Sequence, residues 1–125
     1  MPLIICKKIQ TRDETDSADR VKLLRPNGIG ISLANNKIFE YWLEEIKFKL
    51  DRGDLCLLFT DGLNEMRNGR NEEFGLIPLK QILTKSVYSI RAENLIRELK
   101  GNVLQFLGDC SAHDDMTVVA IVREN

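Results

Sequence analysis

The chain has 125 residues, 43% hydrophobic and 30% charged, and 18 basic against 19 acidic residues give a formal net charge of -1. That length allows one core and leaves no room for a second domain, so residues 1–125 are expected to form a single domain. Ordinary globular composition excludes a disordered chain, and the near-neutral charge excludes a global field that would draw in nucleic acid or anionic lipid.

Cys6, Cys56 and Cys110 are odd in number with no close pair, which suits reduced thiols and speaks against a zinc site. No apolar run approaches the roughly 20 residues of a membrane span. The N-terminus lacks the apolar region of a signal peptide. The expectation is a soluble, cytoplasmic protein with no membrane and no nucleic-acid partner.

In chain order, the β-branched run PLIICKKI at 2–9 predicts a strand, the polar, acidic stretch 10–20 a long loop, and VKLL at 21–24 a second strand. Pro26, Asn27, Gly28 and Gly30 supply turn chemistry. In WLEEIKFKL, 42–50, Trp42, Ile46, Phe48 and Leu50 alternate with Glu45, Lys47 and Lys49, the pattern of a strand with one solvated face. Asp51-Arg52-Gly53-Asp54 predicts a tight turn, and LCLLFT at 55–60 a strand covered on both faces. Together 42–50 and 55–60 predict an antiparallel hairpin.

Residues 64–73 predict a polar loop turning at Asn68-Gly69, and 77–83 a short helix with Pro78 in its first turn. A longer helix is predicted over 90–107, where Ala92, Leu95, Ile96, Leu99, Val103, Phe106 and Leu107 recur at three- and four-residue steps. Ser89 is its expected N-cap and Gly108 its stop, and the apolar stripe is expected to pack on the sheet. MTVVAIV at 116–122 predicts a last strand, introduced by His113-Asp114-Asp115. Strands, then two helices, then a strand argue for an α+β fold: an antiparallel sheet or sandwich flanked by two helices.

Asp61 leaves one strand end while Asp114 and Asp115 stand at the entrance of another. If these strands lie antiparallel side by side, the acids meet at one rim, while Asp54 sits about 20 Å away at the opposite rim as a turn residue. Gathered carboxylates repel one another unless they protonate or recruit cations. Oxygen-only donors favour Mg²⁺ or Mn²⁺, and a pair of such ions can clamp a phosphoryl group and activate water. Gly62 is expected to let the backbone turn away sharply after Asp61. Asp-Gly after a strand is also commonly just a turn, and Asp before a strand a cap, so spacing alone leaves both readings open.

LDRGDLCLLFTDGLNEMRN, then EEFG at 72–75 and the terminal HDDMTVVAIV, closely resembles the stage II sporulation protein E family, bacterial relatives of the metal-dependent type 2C serine/threonine protein phosphatases. The resemblance is strong over 43–75 and 109–123 and loose before position 40. It implies part of an α/β/β/α sandwich, with Asp61 and Asp114 as metal ligands. Asp115 falls where more distant relatives often carry Asn; it is expected behind the ligands and stands as the third candidate metal residue. His113, the single histidine, is expected to have a surface or packing role.

Nothing before residue 51 matches the family's upstream Gly-Asp motif, whose Asp bridges both metals, so the chain resembles the C-terminal half of the domain. The implied activity is hydrolysis of phosphoserine or phosphothreonine in a regulatory phosphoprotein of bacterial stress or sporulation signalling. This stretch alone is expected to be inactive or weakly active, with Mn²⁺ or Mg²⁺ weakly held. The alternative is a non-catalytic, degenerate module that binds a phosphoprotein or a partner domain. Uncovered sheet edges would favour self-association.

Overall fold

The computed structural model describes residues 2–8, 20–26, 43–86, 91–112 and 114–124. Four strands, β1 (Leu3–Cys6), β2 (Val21–Leu24), β3 (Leu55–Phe59) and β4 (Val118–Val122), form one sheet in the order β2-β1-β3-β4, every neighbouring pair antiparallel. Among the described residues three helices accompany it: the single turn α1 (Asp61–Asn64), α2 (Ile77–Ser86) and α3 (Ala92–Leu107). This is the expected α+β antiparallel fold.

β3 is central. Leu57 pairs with Ile4 on one side and Ala120 on the other, and Phe59 pairs with Val118 at the rim. Leu55, Leu57 and Phe59 point into the core with Ile4 and Cys6, where Leu79 and Leu83 of α2 and Leu95, Leu99, Val103 and Leu107 of α3 meet them. The four-residue spacing of that last set keeps it on one helical face. Each fully buried Leu or Phe contributes about 1.5 to 3 kcal/mol relative to exposure. Phe106, on the flank of α3, packs edge-on to Phe74 with ring centroids 5.1 Å apart.

The predicted hairpin does not form. Residues 43–50 are in no strand, Leu43 and Phe48 are exposed, and the partners of β3 are β1 and β4. A strand has two edges, and here both are taken, so the alternation of 43–50 finds no ladder to join; Trp42 lies outside the described residues. The turn itself does form: Asp54 N–H donates to Asp51 O at 2.9 Å, with Gly53 at φ +85°, a conformation that costs glycine little.

Asp54 is more than a turn residue. It is 3% exposed, and Lys7 Nζ donates to its Oδ2 at 2.6 Å, as does Asp51 N–H at 2.8 Å, while Lys8 N–H donates to Oδ1 at 2.9 Å. Burial pushes its carboxyl pKa up, but the Lys7 ammonium and the two backbone donors outweigh it, and the net shift is downward. The same contact raises the pKa of Lys7. Burial also raises the Cys6 thiol to about 11, so Cys6 serves as core, not as a nucleophile.

α2 extends to Ser86, past the expected end at 83. α3 starts at Ala92, with extended Arg91 as N-cap and no side-chain capping bond; Ser89 lies outside the described residues. Gly108 ends it as expected, at φ 59° with its N–H donating to Leu104 O. The polar loop after α1 is tied by an Arg67–Glu73 bridge and by Asn68 Oδ1, which accepts from Arg70 and Glu72 N–H.

Candidate metal centre

The antiparallel register of β3 and β4 sets the C-terminal end of one beside the N-terminal end of the other. The ladder continues one residue beyond them: Thr60 N–H donates to Thr117 O at 3.1 Å, and Thr117 N–H donates to Thr60 Oγ1 at 3.1 Å. Asp61 follows immediately as the first residue of α1, and Asp114 and Asp115 stand just before Thr117.

Gly62 brings the two acidic segments into contact. A Cβ built on it would lie 2.5 Å from Asp115 O and 3.6 Å from Asp114 Cβ. The glycine is needed for this close approach and not, as expected from sequence, for a sharp turn: it sits inside α1 and is not among the glycines with positive φ. The main chain around Asp61 therefore packs directly on that of Asp114 and Asp115, as the rim argument requires.

All three carboxylates are exposed. Asp61 Oδ1 accepts from Gly62 N–H at 3.2 Å and Asp114 Oδ1 from Asp115 N–H at 2.8 Å, and among the described residues none of the three forms an ion pair. Their donors are anionic oxygen throughout, the type hard divalent cations take while keeping several waters. In number they fall short: among the described residues no group of three acidic, His or Cys side chains converges to hold an ion. The rim's oxygen donors fit Mg²⁺ or Mn²⁺ in kind. His113 lies outside the described residues.

Asp61 also lines a cleft of about 230 Å³ together with Pro2, Arg25, Pro26, Asn64 and Glu65, which no local sequence pattern signals. Arg25 follows β2, the far edge strand, so its approach depends on the strand order, which no local pattern reveals. Among the described residues, Asn64 Oδ1 is buried without a hydrogen-bond partner. The Thr60–Thr117 pair was also missed, although the expected antiparallel neighbours imply it. No described helix is long and apolar enough to cross a membrane.

No curated protein matches the chain. Among solved structures it is similar to the phosphatase domain of the cell fate determinant SpoIIE from Bacillus subtilis, in a crystal form without domain swapping, with a TM-score of 0.56 and 21% identity over 95% of this chain. It spans 44% of that chain's length, and at this identity the likeness establishes the fold. The family model for stage II sporulation protein E matches residues 13–124, which is nearly the whole sequence; the chain, with its paired acidic strand ends, belongs to the stage II sporulation protein E (SpoIIE) family.

Proposed function

We propose that the chain contributes to a type 2C-like, metal-dependent phosphatase that hydrolyses phosphoserine or phosphothreonine in a regulatory protein, and that on its own it is inactive or weakly active. The observation that carries this reading is the packing of Gly62 on Asp114 and Asp115, which brings together at one rim exposed carboxylates that form no ion pair among the described residues, in a member of this family.

Asp61 and Asp114 would hold Mn²⁺ or Mg²⁺, with Asp115 behind them. A bound ion supplies charge neutralisation at a phosphoryl oxygen and a water of lowered pKa. The chain's own residues fix the separation of the carboxylates through the Thr60–Thr117 bonds and leave the rim open to a protein substrate. Weak metal binding and weak activity follow from the incomplete ligand set among the described residues. That shortfall also supports a second reading, a non-catalytic module that binds a phosphoprotein or partner domain.

Phosphate release from a phosphoserine peptide in Mn²⁺, measured for the whole translation product and for the 125-residue chain, separates them. The catalytic reading expects activity in the former, reduced about 100-fold or more by Asp61→Asn, since even groups that only support a metal ligand are worth about 10- to 100-fold. Phosphopeptide binding without hydrolysis in both would favour the module.

Copies of the chain are proposed to associate through β4, which with β2 is one of the two outer strands of the described sheet and leaves Val119 45% and Ile121 48% exposed. A strict monomer in sedimentation at high concentration would contradict this.

A further inference from the structure

Beside the acidic rim the apolar core stays open. Leu63 of α1, Ile96, Leu99 and Val103 of α3, and Met116 before β4 surround a groove of about 270 Å³, with Lys100 on its edge. Leu63, Leu99 and Val103 are buried and make the floor, Ile96 and Met116 are half-buried walls, and Lys100 is exposed. The volume lies just under the range of small-molecule sites, about 300 to 1,000 Å³. It suits one large apolar side chain and its neighbour better than a nucleotide or a cofactor.

Two groove residues lie close to the rim along the chain, although none of the three rim acids lines the groove itself. Leu63 is two residues beyond Asp61 and Met116 two beyond Asp114, and two residues of chain reach at most about 7 Å. An extended peptide advances about 3.3 Å per residue, so its second or third residue from the carboxylates lies about 7 to 10 Å away, at the groove. Lys100 adds a cation at the edge of an otherwise apolar surface, complementary to an acidic or phosphorylated segment.

We infer that this groove is a specificity subsite: it takes an apolar side chain two or three residues from the phosphorylated residue of the substrate protein, with Lys100 favouring an acidic neighbour. The inference rests on the phosphatase reading of the rim and adds a sequence preference to it. A peptide carrying Leu at that offset is expected to bind about ten-fold or more tightly than one carrying Ala, because even a single methylene in an apolar pocket is worth about that much.

The test is a set of short phosphoserine peptides in which one Leu is walked along an Ala background, titrated in Mg²⁺ into the chain with labelled methyl groups. The expected result is tightest binding with Leu two or three positions from phosphoserine, shifts at the Ile96, Val103 and Met116 methyls, and loss of the Leu preference in Ile96→Glu. Lys100→Glu is expected to remove only the gain from an added acidic residue.

Binding that depends on phosphate and Mg²⁺ but is indifferent to the Leu would overturn the groove and leave the phosphatase reading standing. Leu-dependent binding that is the same without phosphate and Mg²⁺, at no fixed offset, would remove that reading and the inference with it. If no peptide shifts these methyls at millimolar concentration, or if Ile96→Glu dissociates a dimer instead, the groove is not a substrate subsite.

Discussion

The two ends of strand β3 carry acids in opposite circumstances. At one rim Asp54 is buried and satisfied by an ammonium and two backbone N–H groups; at the other Asp61, Asp114 and Asp115 are exposed, and among the described residues no cation of the chain pairs with them. A carboxylate with internal partners stabilises a turn, whereas carboxylates gathered without a partner leave their charge to something from outside. The contrast separates a structural Asp from candidate functional ones more sharply than Asp-Gly motifs do, since both ends of β3 carry Asp and Gly.

The largest effect is expected from the satisfied rim. Asp54→Ala removes the carboxylate that accepts from Lys8 N–H, Asp51 N–H and Lys7 Nζ, and the cost should be about 2 to 4 kcal/mol in urea unfolding, because a hydrogen bond to a charged group contributes about 1.5 to 3 kcal/mol. Gly62→Ala comes next. Its methyl group meets the carbonyl of Asp115, and the overpacking should cost about 1 to 3 kcal/mol and push the two acidic segments apart, visible as a loss of Mg²⁺-induced amide shifts.

An acid titration sharpens the same contrast. The folded pKa of Asp54 is depressed, so its contribution to stability is complete above the unfolded value of about 4 and is lost as pH falls through the folded value. Wild-type stability should therefore fall below about pH 4 more steeply than that of Asp54→Asn. The smallest effect on stability is expected from Asp61→Asn, within about 0.5 kcal/mol of wild type, since the side chain is exposed and forms no ion pair among the described residues, while divalent-ion binding drops. A large destabilisation by Asp61→Asn would erase the distinction between the rims.

What was legible in the sequence follows from how local the signals are. VKLL is strand β2 to the residue, and the stripe through Leu95, Leu99, Val103 and Leu107 faces the core, because periodicity is a property of a short window. Pairing is not. The alternation at 42–50 reads as a strand, yet the edges of β3 go to β4 and to β1, whose Ile5 meets Cys56 across some fifty residues of chain. α1 is a single turn, too short for any helical period, and so was missed.

At the site, the adjacency of Asp61 to Asp114 and Asp115 could be inferred from the two strand ends. The reason for the glycine could not, because it is a contact with Asp115 more than fifty residues away. The satisfaction of Asp54 by Lys7 was hidden likewise, since it depends on β1 lying beside β3.

The central claim is tested most directly by following backbone amide signals while Mg²⁺ is added to the chain. The account predicts that the amides of Asp61, Gly62, Asp114 and Asp115 shift together with one saturation curve, that those of Asp51 and Asp54 stay fixed, and that Asp61→Asn weakens the whole set. Shifts confined to one of the two acidic segments, or centred on Asp54, would contradict it.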